Sequence, residues 1–123
     1  MEGSRLIARN LALNLSDVAL AIAETLPLLS KRNTRQKALD RLVLLRKRIS
    51  ELTSEPGASR SLRAYSVMDF DEEEFYSVLD RLRSESDPQK LGDLRLEVEG
   101  LVSKTWDNLH EVGRATRGYA SSV

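Results

Sequence analysis

The sequence predicts an all-α protein, an antiparallel four-helix bundle with one long connection between its second and third helices. Three observations carry that expectation. Apolar residues recur at steps of three and four along most of the chain, the period of a half-buried helix. The chain has only 3 prolines and 6 glycines, and most stand where such stretches end. The four stretches are joined mostly by short links, which favour antiparallel neighbours.

The first predicted helix runs from about Ser4 to Leu26. Ala8, Leu11, Leu15, Val18, Ile22 and Leu26 form one stripe, and Leu13, Ala19, Leu20 and Ala23 widen it, so this helix is expected to be the most buried. Ser16-Asp17 offers a cap that would split the segment, and Pro27 loosens or ends it. The second predicted helix opens at Asn33 or Thr34, with Asn33 and Gln36 resembling a capping box. Ala38, Leu42, Leu45, Ile49 and Leu52 follow at bundle spacing, Leu39 and Val43 broaden that face, and Glu55-Pro56-Gly57 stops the helix.

Residues 54–68 read as the long connection, with a strand-like second half in Leu62, Tyr65, Val67 and Met68. The third predicted helix starts on its own capping pair, Asp69 with Glu72. The carboxylates Asp71, Glu72, Glu73 and Glu74 fall in its first turn, where the helix dipole favours them, and Phe75, Val78, Leu79 and Leu82 make its apolar face. Asp87-Pro88 opens the fourth. Leu91, Leu94, Val98, Leu101 and Thr105 keep the bundle spacing there, beside Val102, Trp106 and Leu109, although Gly92 and Gly100 interrupt it. Gly113 is expected to end that helix. The division is thus one domain over 1–112 and a flexible tail over 113–123.

Composition narrows the function classes. A chain of 123 residues, 41% apolar and 31% charged, is long enough for one core. Its 19 basic and 19 acidic side chains cancel, so net charge argues for no nucleic-acid or membrane partner. There is no cysteine, which removes disulfides, thiolate nucleophiles and zinc–thiolate sites. No apolar run is expected to reach the roughly 18–20 residues of a membrane span. The opening Met-Glu-Gly-Ser-Arg lacks the order of a signal peptide.

No glycine-rich phosphate loop or nucleophile elbow is present, and His110, the single histidine, lacks the partners a triad or metal cluster needs. It reads as a surface or helix-end residue. No cofactor and no small-molecule substrate are implied, so an enzyme is the least supported class. A metal-assisted enzyme built on Asp69 to Glu74 is its only form, and that run lacks the ligand spacing of a calcium loop. Two basic groups are candidate anion sites. One is Arg35, Lys37, Arg41, Arg46, Lys47 and Arg48, continued by Arg60 and Arg63; it either tracks a phosphate backbone or pairs with the acidic third helix. The other is Arg81, Arg83, Lys90 and Arg95, around the turn between the third and fourth helices. Ser121-Ser122-Val123 matches a short terminal peptide-ligand pattern that arises often by chance.

Short stretches over residues 17–122 follow, in order, those of a known family. Asp17 begins an apolar helix ending at Thr25-Leu26, and Thr34, Gln36 and Ala38 open the next. Asp69-Phe70, Phe75, Val78-Leu79-Asp80 and Leu82 lead into the third. Leu91, Arg95, Glu97 and Glu99 approach the fourth, and Asn108-Leu109, Glu111, Arg114, Thr116, Tyr119 and Ser121-Ser122 leave it. In these positions the chain resembles the coat proteins of rod-shaped plant viruses, of the tobacco mosaic virus type.

The resemblance implies a four-helix subunit that assembles with copies of itself into an open helical rod or ring and packages single-stranded RNA, in a virion or in host cytoplasm. Without it, the expectation is a cytoplasmic helical interaction module, such as an adaptor, immunity or antitoxin-like protein. Carried over residue by residue, it implies RNA contact at Arg95, with Glu97 and Glu99 behind it, and more loosely at Arg81 and Arg83; Lys90, from the basic group at the same turn, joins them as a candidate RNA contact. It also implies mutually repelling carboxylates at subunit contacts, drawn from Asp71, Glu72, Glu73 and Glu74, that make assembly respond to pH or calcium. The chain departs from the family in its shorter link between the third and fourth helices and in its few aromatic residues, so RNA contact is expected to be reduced or differently built.

Overall fold

The computed structural model describes residues 2–65 and 71–121, with side chains from 5 to 64 and from 71 to 113. The described residues form five helices and no strand: α1 Glu2–Leu29, α2 Arg35–Ser54, α3 Ala58–Tyr65, α4 Glu72–Ser84 and α5 Pro88–Ser121. The all-helical expectation therefore holds, with one helix more than predicted. Val67, Met68, Asp69 and the terminal Ser122-Val123 lie outside the described residues.

The extra helix replaces most of the expected connection. Gly57 turns the chain with φ +77, the left-handed conformation glycine adopts without strain. Its carbonyl then accepts from Ser61 N at 2.8 Å, closing the first turn of α3. Ala58 and Leu62, four residues apart, share the inner side and are buried, while Arg60 and Arg63 stay exposed. Leu62 is thus a helical core residue and not part of a strand.

α1 is also longer than expected. Ser16 is buried at 3% exposure inside an unbroken helix and starts no new one. Pro27 sits within the helix and neither breaks nor ends it, because the chain continues helically to Leu29. The carbonyls left open at this end find other donors. Ser30 Oγ donates to Pro27 O at 3.0 Å, Thr34 Oγ1 to Leu28 O at 2.8 Å, and Arg35 Nη1 to Leu29 O at 3.2 Å. Thr34, not Asn33, is the residue before α2, and its hydroxyl makes no cap bond to that helix; Gln36, the expected capping-box partner of Asn33, donates instead to Asp40 Oδ1 at 3.0 Å. At α4 the cap is Asp71, whose Oδ1 accepts from Glu73 N at 3.0 Å. Asp87 caps α5 as expected, accepting from Gln89 N at 3.0 Å. Gly113 does not end α5, which runs on to Ser121.

α1 packs most extensively against α5 and also against α2 and α3, while α4 packs against α2 and α5. The core gathers Leu11, Leu15, Val18 and Ile22 of α1 with Ala38, Leu42, Ile49 and Leu52 of α2. Leu62, the whole predicted face of α4, and Leu91, Leu94, Val98 and Leu101 of α5 complete it. Because α1 is continuous, its stretch from Arg5 to Leu29 is long and apolar enough to cross a membrane by length and composition, contrary to the sequence expectation. Part of that apolarity is the stripe α1 buries in this core, 44% of the most apolar stretch being buried.

Candidate functional site

The residues singled out around the α4–α5 turn do not form one site. Arg81 projects from α4 into a groove of about 550 Å³ between α4 and α5, lined also by Asp71, Glu73, Glu74, Glu97 and Lys104. There it donates to both carboxylate oxygens of Glu97, with Nη1 to Oε1 at 2.8 Å, a forked geometry suited to guanidinium and carboxylate. Arg95 and Glu99 lie in a different groove, where Ala23, Leu26 and Pro27 of α1 meet Leu91 and Gly92 of α5. They are one helical turn apart, and Arg95 Nε reaches Glu99 Oε1 at 3.1 Å. Arg83 lines a third groove with Gln36, Asp40 and Asp80, between α2 and α4. Lys90 is exposed near the start of α5. Two of the four cations assigned to phosphate are therefore already matched by the two glutamates assigned with them.

The carboxylate run is divided in a similar way. Asp71 is spent on the helix cap. Glu72 turns inward, where its Oε2 accepts from Thr53 Oγ1 at 2.7 Å and from the Tyr76 hydroxyl at 3.4 Å. Glu74 pairs with Lys104 at 2.9 Å. Glu73 lines the α4–α5 groove from an exposed position. Among the described residues, no three acidic or histidine side chains converge as they would around a metal ion.

The basic face of α2 splits between pairing and exposure. Arg46 pairs with Asp80 at 3.1 Å and lies over the Tyr76 ring at 4.4 Å, so this part of the series meets α4 as the pairing alternative anticipated. Arg35 is a structural donor at helix ends. Lys37, Arg41, Lys47, Arg60 and Arg63 are exposed, with no ion pair among the described residues. His110 is exposed within α5, not at its end, and stands edge-on to Trp106 with ring centroids 5.0 Å apart.

The feature that sequence reasoning misplaced is apolar. Leu13 and Leu20, expected to widen the buried stripe of α1, are 46% and 44% exposed, and Leu6 is 59% exposed. The three stand seven residues apart on one outer strip, separate from the Leu11–Leu15–Val18–Ile22 stripe. The seven-residue spacing was a readable signal, but neighbouring buried residues masked it. Leu96 and Trp106 on α5 and Val43 and Leu44 on α2 are exposed as well. Comparison of the chain with models of protein families, with curated proteins and with solved structures finds no match.

Proposed function

We propose that this protein is a structural, non-enzymatic subunit that works by associating with protein chains, first of all with copies of itself. The observation that supports it best is the outer strip of α1, where three leucines are held open to solvent on a helix whose opposite side is fully committed to the core. In this reading α1, α2, α4 and α5 make an antiparallel bundle and α3 closes one side of it. The fuller form follows the resemblance to rod-shaped virus coat proteins: an open assembly holding single-stranded RNA by its backbone. The exposed cations Lys37, Arg41, Lys47, Arg60 and Arg63, with Arg83 and Lys90, then supply the phosphate contacts.

A second reading, an interaction module for an unlike protein partner, draws support from the pairing of Arg81 and Arg95 with Glu97 and Glu99, which weakens any polyanion site at the α4–α5 turn. Light scattering on a sizing column, read with the ultraviolet absorbance ratio and negative-stain images, separates the two. Self-association that grows with concentration, with nucleic acid retained in the assembled fraction, supports the coat form. Association without nucleic acid keeps the subunit role and removes RNA packaging. A chain that stays monomeric across pH, with and without RNA, overturns the proposal.

A further inference from the structure

The outer strip of α1 has a chemistry that favours one occupant. Between Leu6, Leu13 and Leu20 stand Arg9 and Asp17, both exposed and neither in an ion pair among the described residues. A seven-residue apolar repeat on a helix makes a nearly straight seam of the kind that another helix fills. From Leu6 to Leu20 that seam is about 21 Å long.

Turned end for end about Leu13, the strip is complementary to itself. Leu6 comes to face Leu20, Leu13 faces Leu13, and Arg9 faces Asp17 at both ends. In the parallel arrangement Arg9 meets Arg9 and Asp17 meets Asp17. The other exposed apolar side chains, Val43 and Leu44 on α2 and Leu96 and Trp106 on α5, do not recur at seven-residue spacing and form no comparable seam. We infer that α1 docks antiparallel on α1 of a second copy, with a two-fold axis beside Leu13, three layers of leucine along the seam and two Arg9–Asp17 pairs flanking the centre. A contact of this kind uses the same patch on both chains and closes after two. The inference rests on the self-association proposed above and gives it a surface: the dimer is the unit from which any larger assembly is built, through other faces.

The chain contains no cysteine, so single cysteines report the geometry directly. Under mild oxidation, Leu13→Cys should give a covalent dimer, since a disulfide needs Cα atoms within roughly 4.4–6.8 Å. Leu6→Cys and Leu20→Cys should each crosslink poorly alone, and an equimolar mixture should give the mixed dimer. In analytical ultracentrifugation, Arg9→Asp and Asp17→Arg should each raise the dimer dissociation constant by about tenfold or more. Mixing these two variants, or combining both changes in one chain, should restore it. All these positions are exposed, and circular dichroism checks that the helices persist. Self-crosslinking of Leu6→Cys or Leu20→Cys, with no mixed dimer, overturns the antiparallel register. Association that ignores both charge changes and leaves Leu13→Cys uncrosslinked overturns the strip as the contact while leaving self-association in place. A monomer in every condition overturns both.

Discussion

Arg35 shows how much one side chain decides. Its Nη1 donates to Leu29 O at 3.2 Å, at the end of α1, and its Nη2 to Glu85 O at 2.6 Å, just past the end of α4. Two helix ends with unpaired carbonyls are thereby joined through one planar group. Arg35→Ala should lower stability by about 1–3 kcal/mol in urea denaturation, and Arg35→Lys should recover only part, because an ammonium cannot span both acceptors. Sequence reasoning placed Arg35 only in a basic series, since one of its acceptors lies fifty positions away. The glutamates beside Arg81 and Arg95 allow a different test. The pairs are about half exposed, so Glu97→Gln and Glu99→Gln should each change stability by less than about 1 kcal/mol. Removing these negative charges should strengthen low-salt binding to a single-stranded homopolymer and steepen its salt dependence, read by fluorescence anisotropy. Unchanged binding would separate both arginines from any bound nucleic acid.

At the scale of the element, the glycines differ by position. Gly57 holds φ +77 between α2 and α3, with open space where a Cβ would stand. Gly57→Ala therefore carries the left-handed penalty alone, about 1–2 kcal/mol of destabilisation. Gly100 lies exposed inside α5, also with open space around it, and Gly100→Ala should stabilise by roughly 0.5–1 kcal/mol. Thermal unfolding should show the two substitutions moving the midpoint in opposite directions. The same contrast explains which parts of the helices were legible. The buried faces of α2, α4 and the first half of α5 follow spacing that a local pattern contains. The C-terminal end of α1 does not, because Ser30, Thr34 and Arg35 close it from the following turn and helix, and no glycine marks the stop. Nor did the α3 helix stand out, because its eight residues have too few turns to establish a period.

Across the whole molecule, α1 has two opposed faces. Its inner stripe contacts α5, α2 and α3, and Ile22 is wholly buried within it. Ile22→Ala should cost about 2–5 kcal/mol, a large share of the 5–15 kcal/mol typical of a domain. Leu20→Ala, on the exposed strip, should change monomer stability by no more than about 0.5 kcal/mol and yet weaken self-association. Chemical denaturation and sedimentation of the same two proteins test both halves of that statement.

What the sequence determined by itself was the helical class and the inner stripe of most helices, since the period of apolar residues follows from bonds within each segment. Which of the two leucine rows on α1 faces inward was decided only when α5, α2 and α3 covered Leu11, Leu15 and Ile22 and left Leu6, Leu13 and Leu20 in water. The same is true of the candidate RNA residues. Arg81, Arg83, Lys90 and Arg95 are neighbours along the chain, but helical rotation sends three of them to separate grooves, and packing brings Glu97 to Arg81. Local pattern specifies an element and its faces; the partner of a face depends on chain that is distant in sequence, and only tertiary packing supplies it.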